Sequence, residues 1–222
     1  RIPHSRGLGS SASAIVAGVT LARALIGDAD VLGRREILEI GSQMEGHPDN
    51  VAPAVFGGAT VSWMNDETSE VGSVRLTPPE GISPVAFIPD FELRTAAARA
   101  ALPATVPHGD ASFNVARGAL LAAILSGGAQ ASGGVNLHAL LMEATRDRLH
   151  QEQRRAAMEP SLALVDWLRG AGFAAVVSGA GPTVLSLEKV GADIRRDAAG
   201  AGWRVVPLAV AASGVQITRG SL

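Results

Sequence analysis

The chain has no cysteine among its 222 residues, which excludes disulfides and thiolate metal sites and is compatible with a cytosolic protein. It has a single lysine, Lys189, so no lysine follows a glycine loop in the manner of the G-x-x-x-x-G-K-[ST] phosphate loop. No apolar run approaches the roughly 18 residues of a membrane span, because polar and charged residues interrupt each one. Charge is nearly balanced, with a formal net of −2, and gives no reason to expect nucleic acid or an anionic membrane as partner. Internal repeats and low-complexity linkers are absent too. His4, His108, His138 and His150 lack the spacing of metal ligands. What remains is an apolar fraction of 47%, enough to build the core of one large or two small domains.

Three glycine-bearing or polar segments stand out. The first is Pro3-His4-Ser5-Arg6-Gly7-Leu8-Gly9-Ser10-Ser11-Ala12-Ser13, which runs directly into an apolar-periodic stretch. Gly7 and Gly9 permit a tight turn and close approach to an anion. Ser10 and Ser11 are candidate caps for a helix whose unpaired N–H groups and positive dipole end point at the same spot. Gly7-Leu8-Gly9 lacks the third spaced glycine of a dinucleotide fingerprint. The second segment, Glu45-Gly46-His47-Pro48-Asp49-Asn50-Val51-Ala52-Pro53, reads as a polar loop stiffened by two prolines and leading into a strand. The third, Ser178-Gly179-Ala180-Gly181-Pro182-Thr183, is a glycine loop between two short β-type runs. Each alone is also compatible with an ordinary turn.

Periodicity predicts an α+β chain. A first helix reads from Ser11, with Ile15, Val16, Val19, Leu21, Leu25 and Ile26 as its apolar face and Gly27-Asp28 as its stop. A second covers 34–44, with Ile37, Leu38 and Ile40 inward. Strands follow at 54–63, 71–76 and 84–88, then helices at 112–126, 137–150 and 161–170. Strands at 174–178, 183–187, 205–210 and 215–218 close the chain, giving helices packed on one sheet.

The three segments together resemble one family, the GHMP small-molecule kinases. Residues 3–12 match its nucleotide-phosphate motif P-x-x-x-G-L-G-S-S-A at every fixed position, and 178–183 match its C-terminal glycine motif. The middle segment is similar to the version found in the branch that phosphorylates L-homoserine, as are the segments at 95–103 and 147–154. The resemblance implies an incomplete ribosomal-protein-S5-like N-terminal domain over 1–90 and a ferredoxin-like C-terminal domain over 91–222. It implies ATP and Mg2+, L-homoserine as acceptor, O-phospho-L-homoserine as product, a place in threonine biosynthesis, a cytoplasmic location and possible homodimerisation. Relatives carry a segment ahead of the phosphate loop, so the expectation is that the chain is a fragment. Gln153 and Met158-Glu159-Pro160 depart from the family's usual residues. Another GHMP kinase, or a non-catalytic nucleotide-binding member or inactive fragment, are the alternatives.

Phosphoryl transfer needs alignment of the acceptor hydroxyl and neutralisation of phosphate charge. On the resemblance, the backbone of Pro3, His4, Ser5, Arg6, Gly7, Leu8, Gly9, Ser10, Ser11, Ala12 and Ser13 holds ATP, and Ser11 with Glu45 holds Mg2+. Glu45 and Asn50 are the catalytic candidates, Asn50 orienting the acceptor hydroxyl. Asp49 is the fallback base, and His47 shapes the loop. Arg99 and Arg154 are the candidate forks for the acceptor's carboxylate, with Thr95 on the face of Arg99 and with Gly179, Ala180 and Gly181 beside the substrate. Arg155 competes with Arg154.

Overall fold

The computed structural model describes residues 2–26, 33–128 and 134–218. The chain divides into two compact units that are interleaved along the sequence: Gly9–Thr77 with Val210–Leu222, and Arg1–Leu8 with Pro78–Ala209.

The first of these units opens with helix α1 (Ser10–Ile26), followed by α2 (Arg34–Glu45) and the short α3 (Val51–Phe56). Ala12 and Val16 of α1, Ile37 and Leu38 of α2, and Val51, Ala52 and Val55 of α3 form its core, each larger side chain contributing roughly 1.5–3 kcal/mol by leaving water. The buried stripe of α1 is therefore Ala12, Val16 and Thr20, spaced by four, with Val19 half-buried beside it. The expected apolar face is corrected: Leu21, Leu25 and Ile26 are exposed, Leu25 at 80%. The expected stop at Gly27-Asp28 lies outside the described residues. Helix α2 ends at Gly46, whose left-handed backbone (φ +85°) lets its N–H reach Ser42 O at 2.8 Å.

Helix α3 was expected to be loop and then strand. Pro53 reads as a breaker, yet it stands third in α3, where its missing N–H has no helical partner to lose. The strand predicted from 54 accordingly begins later, as β1 (Ala59–Met64), which pairs antiparallel with β2 (Val71–Leu76) through Val61↔Val74 and Trp63↔Gly72. The Asn65 carboxamide caps their turn by accepting from the N–H groups of Glu67 and Thr68. The tail returns here without forming the strand expected at 215–218. Instead Gly58 N donates to Ala211 O, and Val215 N to Ala54 O.

The second unit carries a four-stranded antiparallel sheet of order β4-β5-β3-β6. It is built from β3 (Val85–Ile88), β4 (Ala175–Val177), β5 (Val184–Ser186) and β6 (Arg204–Pro207). Together with α7 (Glu159–Gly170), between β3 and β4, and α8 (Ala192–Gly200), between β5 and β6, these strands trace the β-α-β-β-α-β path of a ferredoxin-like layer. Val85, Phe87, Ala175 and Val184 of the sheet pack with Leu164, Val165 and Leu168 of α7 and Ala198 of α8. Helices α4 (Thr95–Ala100), α5 (His108–Leu125) and α6 (Leu137–Ala144) and a 3-10 helix (Glu152–Ala157) intervene between β3 and α7.

Three expectations change here. The sheet hydrogen bonds are shared between a hairpin and a four-stranded sheet rather than gathered in one. The helix predicted over 137–150 stops at Ala144, because Asp147 draws the following amides into a turn. The division expected at residues 90 and 91 does not coincide with the packing: β3 lies before it, yet hydrogen-bonds to β5 and β6 beyond it.

Candidate active site

In the unit of α1 to β2, Gly9 precedes α1 with φ +68°, and its carbonyl accepts the N–H of Ser13 at 2.9 Å. Ser10 and Ser11 thus stand inside the first turn rather than capping it. The hydroxyl of Ser11 is left to donate to Glu45 Oε2 at 2.7 Å, from the far end of α2. Ala12 sends its methyl into the core. The first turn of α1 carries no acidic residue. Among the described residues the backbone N–H groups of Gly9, Ser11 and Ala12 donate to no protein acceptor. These three amides at the helix start stay available to an anion.

The carboxamide of Asn50 lies over Gly9: a β-carbon added there would sit 3.1 Å from Asn50 Oδ1. Asn50 Nδ2 donates to Asp49 Oδ1 at 3.2 Å. His47 Nδ1 stands 2.7 Å from the same oxygen, a charge contact that lacks hydrogen-bond alignment. Both contacts fall on Oδ1, and the Asp49 side chain is otherwise exposed.

In the other unit, residues 3–8 are fastened to two segments. The Arg6 guanidinium, mostly buried, donates from Nε to Pro89 O at 2.9 Å and from Nη1 to His4 O and Glu92, and it also bonds Asp90 O. Gly7 takes φ +71° and lies against the glycine loop, where Ser178 Oγ donates to Gly7 O at 2.8 Å and Thr183 N to Arg6 O at 3.3 Å. The N–H groups of Gly7 and Leu8 find no acceptor among the described residues. Gly179 and Gly181 take the positive φ their loop requires.

The 3-10 helix sends the two adjacent arginines in opposite directions. Arg155 turns outward and is saturated by Glu152 (2.8 Å from both Nε and Nη2) and Asp166 (3.0 Å), bonds that hold its proton still more firmly than usual. Arg154 turns inward and is only 8% exposed. Its Nε donates to Ala98 O at 3.1 Å and its Nη1 to Gly179 O at 3.3 Å. Burial lowers its pKa first of all; the charge of Asp147 opposes this and that of Arg99 adds to it. Arg99 is exposed on α4, and Thr95, also exposed, lies one turn before it on the same face. Two guanidiniums repel each other here, the electrostatic setting of an anion site. The pinning role of Arg6 was not legible beforehand, since it acts on carbonyls more than eighty residues away.

A helix start with unsatisfied N–H groups, carrying a hydroxyl–carboxylate pair, defines a class of protein that handles phosphate groups with hard-oxygen help. The comparisons place the class. Residues 1–58 match the GHMP kinases N terminal domain and 121–199 the GHMP kinases C terminal domain. The homoserine kinase of Streptomyces avermitilis is 46% identical over 98% of this chain and 68% of its own length. That of Streptomyces coelicolor is 46% identical over 91% of this chain and 63% of its own. The chain thus spans about two thirds of the relatives it matches. The crystal structure of a homoserine kinase from Cytophaga hutchinsonii shares the fold, with TM-score 0.80 at 23% identity over 96% of this chain and 69% of its own. The chain belongs to the GHMP kinases, a family of ATP-dependent small-molecule kinases, and within it to the homoserine kinases.

Proposed function

We propose that the protein transfers the γ-phosphoryl group of ATP to the hydroxyl of L-homoserine, releasing ADP and O-phospho-L-homoserine. The observation that carries this reading is the start of α1, where the N–H groups of Gly9, Ser11 and Ala12 donate to no protein acceptor among the described residues and the Ser11 hydroxyl meets Glu45. Those amides hold the phosphates. Ser11 and Glu45, an alcohol and a carboxylate 2.7 Å apart, fit Mg2+ by their hard-oxygen chemistry. Bound there, Mg2+ would screen charge on the phosphate oxygens.

Asn50 orients the acceptor oxygen, which attacks the γ-phosphorus as the bond to the bridging oxygen of ADP breaks. An amide takes no proton, so the hydroxyl proton passes to a phosphate oxygen or to solvent. Arg154 and Arg99 grip the acceptor's carboxylate. The family resemblance supports a cytoplasmic step of threonine biosynthesis.

Because Asp49 is already engaged by His47 and Asn50, Asp49→Asn is expected to keep kcat within about threefold; a loss on the order of a hundredfold or more would make Asp49 the general base. The reaction itself is tested by ADP release from the whole protein with ATP, Mg2+ and a panel of L-homoserine, mevalonate and galactose. Turnover confined to L-homoserine is expected. Turnover with another alcohol reassigns the acceptor, and ATP binding without any turnover makes the protein a non-catalytic binder.

A further inference from the structure

Arg154 owes its place to a network that begins on α5. The Asp147 carboxylate, 13% exposed, accepts from Asn114 Nδ2 at 2.6 Å, from the N–H groups of Gln151 (2.6 Å), His150 (2.9 Å) and Leu149 (3.3 Å), and from His150 Nδ1 at 3.1 Å. Asn114 also accepts the N–H of Arg148 at 2.9 Å, so one side chain on α5 grips two consecutive residues of the turn. Gln151, at the end of that turn, accepts the N–H of Val177 at 2.7 Å, the residue that precedes the Ser178 loop. The 3-10 helix starts at the next residue, and Arg154 is its third.

The guanidinium itself bonds only to two carbonyls, leaving Nη2 without a protein partner among the described residues. Among the described residues no carboxylate pairs with it directly. Asp147 is the anion whose charge reaches it, and burial, which works against ionisation of Asp147, is outweighed by the hydrogen bonds that hold its carboxyl below the usual range. The cation whose charge reaches Arg154 is Arg99, while Arg117 and Arg146 pair with Glu143, Arg148 pairs with Asp110, and these three gather around the Phe113 ring.

We propose that Asp147, held by Asn114, is the positioning residue that fixes the register of the 3-10 helix and thereby aims the free edge of Arg154 at the acceptor's carboxylate. This rests on the reading of Arg154 as a carboxylate ligand. Asp147 touches no substrate; it acts through backbone amides that would otherwise lose their acceptor.

The test uses Asp147→Asn, Asn114→Ala, Arg154→Met and the double variant Asp147→Asn/Arg154→Met in the whole protein, each checked by thermal melting, with KM for L-homoserine, KM for ATP and kcat measured. Asp147→Asn is expected to raise KM for L-homoserine about tenfold, the size of a lost charge-assisted hydrogen bond, with kcat and KM for ATP within about threefold. In the Arg154→Met background it should add almost nothing, because the two act as one unit. Equal losses in both KM values, or full additivity with Arg154→Met, overturn the proposal. Should Asp147→Asn fail to fold, Asn114→Ala, which keeps the carboxylate, carries the test: it must show the same one-sided rise in KM, and an unchanged KM overturns the proposal. If Arg154→Met itself leaves KM for L-homoserine unchanged, the carboxylate reading falls and the proposal with it. A large effect of Arg154→Met beside a silent Asp147→Asn overturns the positioning role alone.

Discussion

Gly7→Ala is expected to damage both the stability of the fold and the binding of ATP. The backbone of Gly7 sits at φ +71°, and an ideal β-carbon there would lie 2.3 Å from Ser178 O and 2.7 Å from Gly181 O. Both are backbone atoms of a loop tied down by its own Ser178 N to Thr183 O bond and by Ser161 Oγ on Pro182 O. Neither carbonyl can step aside as a flexible side chain would. Left-handed strain and the forced separation together should cost about 3 kcal/mol or more, and displacement of the loop amides should weaken ATP binding by on the order of a hundredfold. Thermal melting and calorimetric ATP titration measure the two effects separately. Gly118→Ala is the control, since a β-carbon at that helical position meets no heavy atom within 4 Å, and it should stabilise by roughly 0.5–1 kcal/mol. A Gly7→Ala protein that melts with the wild type would refute the close packing of the two glycine loops.

Glu45→Gln should spare the fold and remove the chemistry. Glutamine keeps the size of the side chain and an oxygen to accept from Ser11 Oγ, so the bond that joins the end of α2 to the start of α1 survives. What disappears is the negative charge. If Glu45 helps to hold Mg2+ against the phosphates, kcat should fall by about a hundredfold to ten-thousandfold, and the Mg2+ concentration for half-maximal rate should rise. Ser11→Ala, which removes a neutral ligand, should cost about tenfold. The decisive measurement is kcat against Mg2+ concentration at saturating ATP; an unchanged curve for Glu45→Gln would remove Glu45 from the metal site.

The sequence made the repetitive parts legible and hid those that depend on distant partners. Strand β2 fell where its β-branched residues and the flanking turn residues placed it, and α2 differed from its prediction by one residue. Helix α3 was obscured because Pro53 speaks against a helix everywhere except in a first turn. Helix α8 shows almost no apolar pattern, Ala198 alone being fully buried on it, so periodicity had little to detect. Leu21, Leu25 and Ile26 look like core by type, but the buried stripe of α1 follows small residues and a threonine instead.

The site shows the same division. The glycines of the first loop were legible because positive φ leaves a mark on residue type. The pairing of Ser11 with Glu45 was reached through family resemblance, since local rules favour a cap at that serine. Arg154 and Arg155 are chemically identical neighbours; only the turn of the 3-10 helix sends one inward to Ala98 O and the other outward to Asp166. Asp147 entered only as the first residue of the family-like segment 147–154, and its hold on the amides of His150 and Gln151 shows in the structure alone.

Strand β3 is buried along its whole length and lies inside its sheet, hydrogen-bonded to β5 on one side and β6 on the other. Its partners follow on the order of a hundred residues later, a separation that slows folding by making chain closure precede any reward. During synthesis, at roughly 5–20 residues per second, Val85, Ala86, Phe87 and Ile88 emerge many seconds before anything can cover them. The most protected strand of the finished protein is therefore the most vulnerable one in the nascent chain.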